Sequence, residues 1–320
     1  GNYTVDVTYD GITETSDPVI LLVGSTTNDY STAVLANNPV AWWRLGELSG
    51  TDALDSAGSA GGPYDGIYLP LVPLDQAGAI LGDPDRAARF VDTADAKVSV
   101  DFDEDLNPAG GNAFSVEAWV LVEGLGGQRP IVTSLDDYSD TEKYGYTLTI
   151  TSAGNWRFGT GRYAPPAFGL TTADGPAAVP LEWTHLVGVY SGSSNTLYVN
   201  GYPVASVSVT DFEYVQPGNF EVPLWIGAVG AAYGTPGPGT SFFDGLIDEV
   251  AFYDSALSGA DVLEHYAAGL PSDAPPQFTL EPGDVLSDIS GQVTFTVAVR
   301  SVGETTYQWQ KDGIDIPGAT

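Results

Sequence analysis

Apolar and polar positions alternate in short runs along most of the chain. Residues 2–9, NYTVDVTY, alternate strictly, as a strand with one buried face does. Gly11 marks a turn, and PVILLV at 18–23 supplies a second strand. STTND at 25–29 is polar and reads as a linker. From Tyr30 to about Gly269, clusters of Gly, Pro, Asp and Asn separate the apolar runs. These are FSVEAWVLVE (114–123), YGYTLTITS (144–152), WRFGTG (156–161), WTHLVGVYS (183–191), TLYVNGYPVASVSV (196–209), PLWIGA (223–228) and LIDEVAFYD (246–254). Such runs, without a long helical pattern, predict a β-sandwich or jelly roll. Asn200-Gly201 predicts a type I′ hairpin, whose two central residues both need positive φ. One helix is expected at 258–269. Ser258 caps it, Asp261 sits in its first turn, Val262, Leu263, Tyr266 and Leu270 give an apolar face, and Gly269 ends it.

Alternation also assigns faces. In FSVEAWV, Phe114, Val116, Ala118 and Val120 share one face, and Ser115, Glu117 and Trp119 share the other. A Trp opposite an apolar face implies that both are buried, as when helices or loops cover a curved sheet. In LIDEVAFYD, strict alternation puts Asp248 with Val250, facing inward, and Glu249 on the opposite face. An inward carboxylate needs a partner, either a cation or a set of backbone amides.

Composition sharpens this picture. The chain has 320 residues with 39 Gly and 22 Pro, enough for two to three domains and too apolar, at 43%, for disorder. Cysteine is absent, which excludes disulfides and thiolate metal sites. Methionine is absent too, and this marks the chain as a mature or excised segment. No apolar run is long enough for membrane insertion, and no signal peptide is present. Acidic residues number 42 against 10 basic, a net charge of −32. Such a surface disfavours nucleic acid and anionic lipid, keeps secreted proteins apart, and suits hard cations with oxygen ligands.

Residues 30–270 resemble the laminin G-like, concanavalin A-like jelly rolls found as repeats in large bacterial surface proteins. The resemblance rests on VAWWRLGELSG (40–50), RFVDTADAKVSV (89–100), FSVEAWV, WTHLVGVY, LYVNG, WIG and FDGLIDEVAFYDSALS (243–258), in that order. The family often has Phe-Asp-Gly where this chain has Phe90-Val91-Asp92. The resemblance implies an extracellular, cell-surface module, and a structural Ca²⁺ between the first strands and the last. Asp248 is then the leading side-chain ligand, with Glu47 and Asp92 as helpers. DFDEDLN at 101–107 starts like an EF-hand loop but has Leu106 in place of the required Gly, so it is expected to be a solvated loop.

Related jelly rolls include glycosidases, which need two carboxylates flanking a bond. No strand shows paired acids on one face; Glu117 stands alone in its strand, and His185 is expected to pack and hydrogen-bond. The expectation is a non-catalytic structural or adhesive module. The alternative is a carbohydrate-binding module that uses Tyr163, Phe168 and Tyr233 in loops to contact glycans; a glycosidase is the weakest reading.

The two ends resemble halves of one immunoglobulin-like domain. Residues 275–320 look like its front half, with Val297 at a cysteine position and Trp309 as the core Trp. Residues 1–24 look like its back half, with Tyr3 as the tyrosine corner and Val5 at the partner cysteine position. Three explanations stay open: a window cut from a tandem array, halves pairing within one chain, or head-to-tail complementation between copies into a filament.

Overall fold

A computed structural model describes the chain except residues 1, 4–5, 10–11, 16–18, 21–28, 70–71, 93–95, 109–110, 138–142, 165–166, 210–221, 230–240, 271–276, 281–297, 301–307, 312–313 and 320. It divides into two compact units, residues 1–269 and 270–320, each described by itself.

The first unit opens on a hairpin. Strand β1 (Asn2–Tyr3) pairs with β4 (Val19–Ile20), and β2 (Asp6–Tyr9) with β3 (Ile12–Thr15). Tyr9 stands opposite Ile12, and the turn expected at Gly11 lies outside the described residues. The returning strand therefore begins well before PVILLV.

Helix α1 (Asp29–Ala36) follows, which corrects the expectation of a linker running to residue 29 and no second helix. Eight residues are too few to be helical in isolation. Tertiary packing holds them: Tyr30 and Val34, one turn apart, are both fully buried, and α1 packs against the helix at the far end of the unit.

The short strands come next: β5 (Ala41–Trp43), β6 (Asp52–Ala53), β7 (Gly66–Tyr68), β8 (Gln76–Ala77), β9 (Arg86–Phe90) and β10 (Val98–Val100). The long ones follow: β11 (Phe114–Val122), β12 (Arg129–Asp137), β13 (Lys143–Ile150), β14 (Asn155–Ala164), β15 (Ala167–Ala177) and β16 (Trp183–Tyr190). The unit ends with β17 (Ser194–Val199), β18 (Tyr202–Ser208), β19 (Leu224–Ile226), β20 (Ala228–Val229), β21 (Ser241–Phe242), β22 (Gly245–Tyr253) and helix α2 (Gly259–Gly269). Strands β12 and β15 are absent from the apolar runs of the sequence because Pro130, Gly169 and Gly175 interrupt them. Residues 104–106 form a short 3₁₀ turn, capped by the Asp103 carboxylate, where a plain solvated loop was expected.

Two antiparallel sheets face each other. One runs β15-β14-β13-β12-β19-β10-β7-β6; the other runs β18-β17-β16-β11-β22-β9-β8, with β5 also on β22. Phe114, Val116, Ala118 and Val120 of β11 face the core, as alternation predicts. Phe114 lies among Tyr146, Phe158, Tyr190 and Phe252, with ring centroids 4.9 to 6.1 Å away. Asn200 (φ 50°) and Gly201 (φ 82°) form the expected turn between β17 and β18.

The outer face of β11 is covered by the two helices. Tyr30 of α1 meets Trp119 edge-on at 6.3 Å, and Tyr266 of α2 stacks on it at 5.9 Å. Ser258 caps α2 reciprocally: its Oγ accepts from Asp261 N at 3.2 Å, and Asp261 Oδ2 accepts from Ser258 N at 2.8 Å. The buried side of α2 is Val262, His265, Tyr266 and Gly269, with Leu263 and Leu270 only half-buried. Gly269 is required there, since a Cβ would lie 2.5 Å from the Trp119 ring.

In the second unit, β23 (Gln277–Leu280) pairs with β24 (Ala298–Arg300), and β25 (Gln310–Lys311) with β26 (Ile314–Asp315). Trp309 closes the second hairpin: its N–H donates to Ala319 O at 2.9 Å and its carbonyl accepts from Ile316 N at 2.9 Å. Among the expected assembly residues, Tyr3 lies in β1 opposite Val19 and Trp309 is half-buried; Val5 and Val297 lie outside the described residues.

Candidate metal centre

A β-bulge builds the centre. Between Glu117 and Trp119 on β11, the facing strand β22 advances from Ala251 to Asp248, one residue more. Glu249 takes up the extra residue with φ 52°. The alternation therefore breaks: Ile247, Val250 and Phe252 all face the core, while Asp248 and Glu249 sit together outside it. This overturns the expectation that these two acids lie on opposite faces and that Asp248 shares Val250's face.

Asp85, in the turn before β9, completes the cluster. One oxygen each from Asp85, Asp248 and Glu249 lie within 4.8 Å of one another. Arg44, just after β5, reaches in from the side. Its Nη2 is 2.8 Å from Glu249 Oε1, its Nε is 3.0 Å from Asp85 Oδ2, and it also pairs with Asp83. Glu249 Oε2 accepts from Trp42 Nε1 at 2.8 Å, and Asp248 Oδ2 accepts from Ala79 N at 2.7 Å. Asp248 Oδ1 is buried and has no hydrogen-bond partner. Two glycines leave room for the acids: a Cβ on Gly46 would lie 1.7 Å from Asp85 Oδ1, and one on Gly78 3.2 Å from Asp248 Oδ2.

Three carboxylates, those of Asp83, Asp85 and Glu249, thus share one guanidinium, with Asp248 beside them. Burial pushes the Asp85 carboxyl up to about 6 against the pull of Arg44. Burial, and then the charge of Glu249, hold Asp248 well above the usual carboxylate range. Burial raises Glu249 as well, although Arg44 draws it back. Carboxyls crowded and desolvated in this way are stabilised as anions by an added cation. Hard oxygen donors, an orphaned buried carboxylate oxygen and space held open by glycines fit Ca²⁺. Asp85, Asp248 and Glu249 would hold it.

Of the expected ligands, only Asp248 belongs to this cluster. Glu47 lies outside the cluster, accepting from Leu54 N at 2.8 Å and Tyr68 Oη at 2.7 Å. Asp92 is 52% exposed and pairs with Arg129 at 2.7 Å. The sequence signal for Asp85 was the acidic turn Gly82-Asp83-Pro84-Asp85. Tyr163 and Phe168, expected in loops, lie in β14 and β15 as direct cross-strand partners; Tyr233 is outside the described residues. Glu117 is the one acid of β11, and His185 and His265 meet it on the strand's outer face.

A second feature is a polar cleft of about 400 Å³ at the β13–β14 end of the other sheet. Gln128, Thr149, Thr151, Ser152, Asn155 and the Arg157–Asp174 pair line it, the pair closing with two bonds of 2.6 and 2.7 Å. No described helix is long and apolar enough to cross a membrane.

Among families of known proteins, the Laminin_G_3 model, described as the concanavalin A-like lectin/glucanases superfamily, matches residues 92–263. No curated protein matches significantly. Among solved structures, the binding domain of Paraclostridial Mosquitocidal Protein 1 is similar at TM-score 0.53 and 16% identity, over 73% of this chain and 53% of that one. The botulinum neurotoxin serotype D/C VPI 5993 binding domain aligns at TM-score 0.51 and 12% identity, over 76% and 55%. The receptor binding domain of botulinum neurotoxin D aligns at 0.50 and 13%, over 72% and 53%. The chain spans about half the length of these structures. At such identities the likeness is one of fold.

Proposed function

The chain belongs to the concanavalin A-like lectin/glucanase superfamily, and from that premise we propose a non-catalytic structural or adhesive module, extracellular and stapled by Ca²⁺. The observation that carries this reading is the buried, unpartnered Asp248 Oδ1 beside Asp85 and Glu249. The three acids come from the turn before β9 and from β22, the last strand of the sandwich, so a cation there ties an early turn to that strand. Hydrolysis of a glycosidic bond needs two accessible carboxylates at about 5–9.5 Å. Asp248 and Glu249 are instead buried, Glu249 paired with Arg44, and Glu117 is sealed under the helices.

The test is thermal unfolding of the full chain in millimolar Ca²⁺ and in chelator. A ligand at about 100-fold its Kd adds roughly 2.7 kcal/mol, so Tm rises by several degrees. Asp248→Asn removes the rise. An unchanged Tm in the parent protein sinks the Ca²⁺ staple and leaves Arg44 as the cluster's counter-charge. Release of reducing ends from a polysaccharide panel would sink the non-catalytic part.

The polar cleft favours a second reading, a carbohydrate-binding module. Its hydroxyls, amides and one ion pair are the donors and acceptors that a sugar's hydroxyls need. On a glycan array, Arg157→Ala removes binding if the cleft is the site, whereas Tyr163→Ala or Tyr233→Ala removes it if the aromatics are. The finer proposal of head-to-tail assembly through residues 1–24 and 275–320 is tested by electron microscopy and sedimentation. A purely monomeric chain excludes it.

A further inference from the structure

The outer face of β11 holds a cluster that this function does not use. Glu117 is fully buried. Its Oε1 accepts from Tyr30 Oη of α1 at 3.0 Å and meets His185 Nε2 of β16 at 2.7 Å. Its Oε2 accepts from Tyr253 Oη of β22 at 2.8 Å and meets His265 Nδ1 of α2 at 2.9 Å. His265 Nε2 in turn meets the Ala33 carbonyl of α1 at 3.1 Å. One carboxylate thus connects three strands and both helices.

Counting protons assigns the charge. With Glu117 ionised, the carbonyl and carboxylate oxygens only accept, so both nitrogens of His265 donate, and only the imidazolium carries two N–H groups. Tyr30, Tyr253 and His185 also donate to Glu117. With His265 they fill all four acceptor positions of the carboxylate, and this keeps it ionised. His185 differs: its Nδ1 is buried with no hydrogen-bond partner.

We infer that Glu117 and His265 form a proton-operated clasp, which fastens both helices to the sandwich and loosens in alkali when His265 loses its second proton. The titratable groups facing the imidazole are Glu117, Tyr30, Tyr253 and His185 across the clasp, and Asp261 on its own helix. Burial drives His265 down, but the charge and hydrogen bond of Glu117 outweigh it and hold His265 above its ordinary value of 6.5. Burial drives Glu117 up, but the charge of His265 and the two imidazole hydrogen bonds hold it well below the carboxylate range. A raised histidine contributes stability that is complete below its unfolded pKa and lost as pH climbs through the folded one. A depressed carboxylate loses its contribution only as pH falls through its folded value. The clasp therefore fails first on the alkaline side.

The chain has only two histidines, so imidazole ¹⁵N spectra of the full chain resolve both. At neutral pH one ring is expected as an imidazolium with contacts to Ala33 protons, titrating above its ordinary value. Backbone exchange in residues 30–36 and 260–269, corrected for intrinsic rate, is expected to quicken at least about tenfold through that titration, and not to do so in His265→Gln. Two neutral rings at neutral pH overturn the clasp. So does an exchange profile that ignores the titration, or one that His265→Gln reproduces. If the variant fails to fold, the ring spectra of the parent protein still decide the charge.

Discussion

Gly188 shows how one missing carbon sets a packing layer. A Cβ on this β16 residue would lie 2.2 Å from the Phe158 ring of the facing sheet. Gly188→Ala should lower stability by about 1–3 kcal/mol, read as a fall in urea midpoint with unchanged slope. An unchanged midpoint would show that the sheets yield there. Tyr253→Phe removes one donor from the buried Glu117 carboxylate and should cost about 1.5–3 kcal/mol by the same measurement. Glu117→Gln should cost more, roughly 3–5 kcal/mol, because it strands the charge of His265. The faces of Phe114 and Trp119 were legible from alternation, because Val116, Ala118 and Val120 repeat the apolar character of Phe114 at period two and leave Trp119 on the other face. The partners of Glu117 were not legible. His185 and His265 come from other elements, and no local pattern brings three separate segments to one point.

Among elements, the turn and the capped helix were the most legible, since their chemistry is local. Asn200-Gly201 calls for positive φ, and Ser258 with Asp261 makes a reciprocal cap. Gly201→Val should therefore cost about 1–2 kcal/mol from backbone strain alone, before any clash with Tyr266, and should lower Tm. Helix α1 was hidden because its helicity depends on Tyr30 and Val34 finding the sheet. The bulge in β22 was hidden for a related reason. Period-two alternation carries no mark of an inserted residue, so it sends Asp248 and Glu249 to opposite faces when the strand brings them together. That one residue creates the cluster of acids, and so the local rule fails where the candidate chemistry begins.

At the scale of the molecule, a net charge of −32 works against compaction, and any added salt relieves part of it. Screening and site binding separate cleanly. Raising NaCl should lift Tm gradually in the parent protein and in Asp248→Asn alike, whereas millimolar Ca²⁺ should act steeply on the parent alone. If both proteins respond equally to Ca²⁺, the ion is only screening. The two helices add a mechanical consequence. Helix α1 leads the chain into the sandwich and α2 leads it out, and both are moored to the same carboxylate. Tension drawn through the two helices would load these few hydrogen bonds first, and reach the sheet through Glu117 of β11. The module would behave as a stiff body in series with a small fuse, with a rupture force set at Glu117 and softened by alkali.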